Sequence, residues 1–171
     1  MGFDLYGMNP VIRKGKMPVE PDGLWKKGAS EKKRDEYYNK KWEFEENNPG
    51  SYFRNNVWGW RGLWDYVYNE CRDILTEEDW NNGHHNEGHK ISEEKAVSIG
   101  KRLNDLIKSG KAKRYVALWE DDRKEAIEHN KSLKKGVGDK NYDWKASYPL
   151  YLENIQEFAT FCSESGGFEI C

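Results

Sequence analysis

The chain has 171 residues, with 28 Lys and Arg against 30 Asp and Glu and a formal net charge of −2. That length fits a single domain, and the near-balance of charge excludes both a strongly basic nucleic-acid binder and an acidic DNA mimic. A mean hydropathy of −1.06 would suit a disordered chain, but eight Trp, ten Tyr and six Phe supply core material that disordered chains lack.

No stretch approaches the roughly 20 apolar residues that cross a bilayer, and the opening residues lack the apolar run of a signal peptide. Cys71, Cys162 and Cys171 are odd in number and widely scattered, unlike a secreted disulfide framework. These features predict a cytoplasmic protein with free thiols, no membrane partner and no bulk DNA binding.

The first segment, Met1 to Met8, places Phe3 and Leu5 toward a core and reads as a short strand ahead of the Asn9-Pro10 turn. Residues 10–30 carry three prolines and three glycines and predict a long loop. Ser30 stands where an N-cap belongs, opening a charged helix that ends at Asn48-Pro49-Gly50. Tyr38 and Trp42 give this helix only a narrow apolar stripe, so it should project from the body or pack weakly.

Between Tyr52 and Leu75, Val57, Trp60, Leu63 or Trp64, Val67, Cys71, Ile74 and Leu75 recur at helical spacing. This predicts the central helix, starting after Asn55 or Asn56. Gly59 and Gly62 weaken its first turns by roughly 1 kcal/mol each relative to Ala, and imply close approach of another helix or a ligand. Thr76 with Asp79 forms a capping box over one short turn, which stops at Asn82-Gly83. Ser92 caps an amphipathic helix that ends near Ser109-Gly110, and another helix follows from Ala112 to about Leu133. The last helix is predicted over Pro149 to Ser163, with Pro149 in its first turn, and the tail 168–171 as a strand beside the N-terminal segment. The fold class is therefore mainly α, a compact bundle of five or six helices with a short strand pairing of the termini.

Two segments carry candidate chemistry. His84, His85 and His89 fall within six residues, with Asn86 and Glu87 between them. The four-residue step from His85 to His89 would place two imidazoles on one metal if the segment were helical, but Gly83 and Gly88 favour a loop, so whether a metal binds stays open. In the second segment, Arg54, Asn55, Asn56, Trp58, Trp60 and Arg61 combine what a nucleotide site needs: rings to stack on a base, amides to read an edge, guanidiniums for phosphate. Trp residues on helices mostly serve cores, and Asn at a helix start mostly serves as a cap. Trp58 nevertheless lies about 160° from Trp60 around a helix, so at least one ring faces a second surface. Asp4 is positioned to pair with Arg54 or Arg61. No phosphate-loop, dinucleotide-fold, serine-hydrolase or kinase pattern is present, and no catalytic residue or cofactor is assigned.

The segments MGFDLYGMNP, YFRNNVWGWRGLWDYV, LTEEDWNNGHHNEGHKIS and FATFCSESGGFEIC resemble a family of bacteriophage accessory proteins. The resemblance transfers no catalytic residue, but it implies a role against host defence, where signals are often cyclic nucleotides or ADP-ribose derivatives. The expectation is a sponge that sequesters such a signal as a homo-oligomer. Arg54, Asn55, Asn56 and Arg61 would hold phosphate or ribose, Trp58 and Trp60 would stack on the base, and His84, His85 or His89 would close the pocket. The alternatives are a metal-assisted phosphodiester hydrolase built on His85, Glu87 and His89, and a protein-binding inhibitor of a host defence effector.

Overall fold

A computed structural model describes residues 2–171 of the chain; Met1, where the first sequence-predicted segment begins, lies outside them. Four strands, β1 (Gly2–Gly7), β2 (Tyr52–Asn56), β3 (His89–Ile91) and β4 (Phe168–Ile170), form one antiparallel sheet in the order β2-β1-β4-β3. Leu5 sits opposite both Phe53 and Ile170, so the two ends of the chain make its two central strands. The predicted pairing of the termini holds, but the sheet is larger than a bundle allows. It adds β2, whose residues run into the helical spacing of the next segment, and β3, which is only three residues long.

Alternation along the strands divides the sheet into two faces. Phe3, Leu5, Phe53, Ile91, Phe168 and Ile170 are buried, while Tyr6, Arg54 and Lys90 on the other face are exposed. Against the sheet pack α2 (Val57–Glu70), α3 (Glu77–Gly83) and α6 (Leu152–Glu164), while α4 (Glu93–Lys108) packs chiefly on α6 and α5 (Lys111–Lys131) on α4 and α6, within the same core. Helix α1 (Glu31–Asn47) is different. It has one buried residue, Phe44, and only marginal contact with the other elements, as its narrow stripe foretells. Ser30 is its N-cap residue but makes no side-chain capping bond. Residues 8–30 contain no helix or strand.

The central helix starts where its cap predicts and ends earlier than its apolar spacing predicts. Asn56 is extended and its Oδ1 accepts the Gly59 N–H at 2.9 Å, so α2 begins at Val57, and Tyr52–Asn56 joins the sheet. At the other end, Ile74 and Leu75 donate to the Cys71 carbonyl in a turn beyond the helix. Likewise α6 starts at Leu152 rather than Pro149. The segment before it is pressed against α2, where a Cβ on Gly62 would lie 2.7 Å from the Pro149 carbonyl oxygen.

The core centres on Trp60 and Trp64, one turn apart on α2 and stacked at 5.2 Å with 15° between their planes. Each indole N–H donates to a backbone carbonyl of α3, Trp60 to Gly83 at 2.7 Å and Trp64 to Trp80 at 3.1 Å. Both rings are fully buried, so these bonds satisfy donors that would otherwise be stranded. Phe3 stacks on Trp60 from the sheet, and Phe158 meets it edge-on from α6. A Cβ on Gly83 would lie 2.2 Å from Trp64 Nε1. Gly83→Ala should therefore overpack the core and lower stability by about 3 kcal/mol, read as a reduced urea midpoint; an unchanged midpoint would show that the indoles are not held this tightly.

Candidate functional site

Because Trp60 points into the core, Trp58 points out. It is 46% exposed and stacks at 6.0 Å on Tyr148. The Arg61 guanidinium lies over the same tyrosine ring at 5.8 Å and donates from Nη1 to its hydroxyl at 3.0 Å. The carbonyl of Tyr148 accepts the Trp119 indole N–H at 2.8 Å, tying this stack to α5.

Beside the stack opens a cleft of about 490 Å³ whose lining includes Asn55, Asn56, Trp58, Arg123, Tyr151 and Asn154. The Asn55 amide donates to Asn154 Oδ1 at 3.0 Å. Arg123 binds Glu120 through Nη1, yet its Nε is buried without a hydrogen-bond partner. Asn56 caps α2 and Asn154 lies in the first turn of α6, so two helix N-termini border the cleft and bias its field toward an anion. The result is an open polar cleft with two exposed aromatic rings, Trp58 and Tyr151.

The predicted site residues divide between three places. Asn55, Asn56 and Trp58 line the cleft, and Arg61 braces its wall. Trp60 does not take part: fully buried and bonded to Gly83, it cannot offer a face to a ligand. Arg54 projects from the outer face of the sheet, with Nε 3.5 Å from Asp4 Oδ1, one of its two expected partnerships. Arg123, Tyr151 and Asn154 come from segments far along the chain, and no local spacing pattern announces them.

The histidines do not close the cleft. His84 turns to α2, where its Nε2 lies 3.1 Å from Asp65 Oδ1, the atom that also accepts the Trp80 indole N–H. His85 is exposed beside a separate hollow of about 310 Å³ that His89 and Glu87 also line. His89 lies in β3 with Nε2 3.0 Å from Asp79 Oδ1. Thus His84 and His89 are engaged by different carboxylates. Among the described residues, no three His, Cys, Asp or Glu side chains converge as metal ligands do.

Asp79, read from sequence as a capping residue, has a second role. Its side chain is 7% exposed and accepts from the Thr76 N–H and hydroxyl, from His89 and from Lys95 Nζ at 2.5 Å. Burial by itself would raise its pKa, but the bonds from Lys95, the Thr76 backbone, His89 and the Thr76 hydroxyl outweigh it and lower the value to about 2. Ionised Asp79 accepts a hydrogen bond from the His89 Nε2–H, and Nδ1 faces the Asn82 amide with Nδ2 at 3.5 Å. Both buried cysteines, in contrast, are disfavoured as thiolates: burial pushes Cys71 up to about 12 and raises Cys162 as well.

A depressed carboxylate pKa stabilises the fold above the unfolded value near 4, and that contribution is lost as pH falls toward 2. Asp79→Asn should therefore cost about 2 kcal/mol at neutral pH, and its deficit against wild type should shrink between about pH 4 and pH 2. Parallel denaturation curves at stepped pH check this; a deficit that does not change with pH would contradict it.

Among the described residues no helix is long and apolar enough to cross a membrane. No family model, no curated protein and no solved structure matches the chain, so any activity must be argued from the site itself.

Proposed function

We propose that this protein binds a nucleotide-derived small molecule in the cleft between α2, α5 and the start of α6. The observation that carries the reading is the exposed face of Trp58, backed by Tyr148 and Arg61, above a cleft that Arg123 helps to line. The exposed rings of Trp58 and Tyr151 each offer a face on which a base stacks. Arg123 and the helix N-termini take phosphate. Asn55 and Asn154, already bonded to each other, keep amide groups for a base edge or ribose.

The resemblance to bacteriophage accessory proteins extends this reading to biology. The protein would act as a sponge that removes a host immune signal, either a cyclic nucleotide or an ADP-ribose derivative. Sequestration needs tight binding and no chemistry at the ligand. That requirement accords with a cleft furnished with stacking and hydrogen-bonding groups.

Calorimetric titration with cyclic dinucleotides, cyclic trinucleotides and ADP-ribose derivatives tests the assignment. One class should bind, and Trp58→Ala or Arg123→Ala should each weaken it about tenfold or more, while Arg54→Ala and His85→Ala leave it unchanged. If none of these molecules binds, or if the Trp58 and Arg123 variants bind like wild type, the assignment fails.

A further inference from the structure

We propose that the outward side of α1 is a homodimer interface, on which residues 11–19 of a second copy of this chain are seated. The inference is independent of the cleft and of what the cleft binds. A helix of 17 residues that packs only marginally on its own body forgoes most of the burial that normally stabilises a helix. What α1 displays instead is aromatic. Trp25 packs edge-on against Tyr38 at 5.8 Å and Tyr38 stacks on Trp42 at 6.1 Å. Trp42 is 63% exposed. Contiguous exposed rings of this kind mark interaction surfaces.

The charge beside the ladder selects the occupant. The groove next to Trp42 is lined by Asn39, Glu43, Glu45 and Glu46. Glu45 Oε1 is buried there without a hydrogen bond, 3.6 Å from the Lys41 ammonium. Glu45 is thus neutralised within the chain, and the two exposed carboxylates of Glu43 and Glu46 with the Trp42 indole favour a segment that is both basic and apolar. Residues 11–19, Val-Ile-Arg-Lys-Gly-Lys-Met-Pro-Val, are such a segment, and their charged residues are all basic. Val11, Ile12, Met17 and Val19 are exposed.

This strap is also held in place for docking. Asn48, fully buried at the end of α1, accepts the Arg13 and Lys14 N–H groups at 2.7 and 3.1 Å and donates to the Lys14 carbonyl at 2.8 Å. The strap is therefore pinned at Arg13 and Lys14, just before it bends at Gly15 (φ 78°), and this anchoring lowers the ordering cost of association. Within one copy the strap runs along the neighbouring side of α1, and Glu43 borders both the strap's hollow and the Trp42 groove. Adjacent complementary surfaces are what a two-fold axis requires: an axis near Glu43 places each strap in the other copy's groove, giving a closed, isologous pair.

Sedimentation velocity over a micromolar concentration series tests the proposal. Wild type should form a dimer. Lys14→Glu with Lys16→Glu, and separately Glu43→Lys with Glu46→Lys, should each weaken it about tenfold or more, and combining the four changes should restore it. Trp42→Ser should dissociate it without charge reversal. All these side chains are exposed, so the monomers should fold normally. A wild type that stays monomeric overturns the proposal. So does a dimer indifferent to both charge reversals, or one that the combined variant fails to restore.

Discussion

Two indole N–H groups fix how α2 sits in this protein, and the rest of the site follows. Trp60 and Trp64 are buried completely, and each must find an acceptor in a region without solvent. The acceptors are carbonyls of α3, at Gly83 and Trp80. Rotating α2 about its axis would break both bonds and strand both donors. The helix therefore has one permitted orientation against the sheet, with Phe3 and Phe158 filling the space around Trp60.

That orientation determines what the opposite side of α2 can present. With Trp60 inward, Trp58 and Arg61 fall on the side facing the segment before α6, and both engage Tyr148. The absence of a side chain at Gly62 lets the Pro149 backbone approach α2. A core requirement thus builds the wall of the cleft: with one indole buried in the core, its neighbour two residues away is left exposed. The cleft beside it draws Arg123 from α5 and Asn154 from α6, so it exists only when the helices have docked. The Asp79 cluster shares no residue with the cleft and joins α3, β3 and α4 through a single carboxylate.

The sequence disclosed these features unevenly, for physical reasons. Helices α4 and α5 and the Thr76 cap were legible because their signals are local: a polar cap, an apolar period and a glycine stop. The strand at Tyr52–Asn56 was not, since its buried position is Phe53 alone and its residues run into the helical spacing of α2. Strand β3 has three residues, too few to show a period. Trp58 was legible as the odd ring out, because its angle around the helix follows from sequence. The apolar spacing also put Trp60 on the inward stripe, but the Gly83 carbonyl that binds its indole and removes it from the ligand site comes from folding and was not legible. Asp79 read as a cap because Thr76 is three residues away, whereas its bonds to His89 and Lys95 come from folding.

The central claim is that the Trp58 cleft captures a nucleotide-type molecule intact. The most direct measurement is mass spectrometry of a nucleotide-signal panel mixed with the protein, with each free molecule quantified before and after heat denaturation. The account predicts that one molecule disappears on mixing and returns unaltered on heating, and that it stays free when Trp58→Ala replaces wild type. A molecule that returns chemically changed would make the protein an enzyme. A panel that never changes would leave the cleft without its proposed ligand.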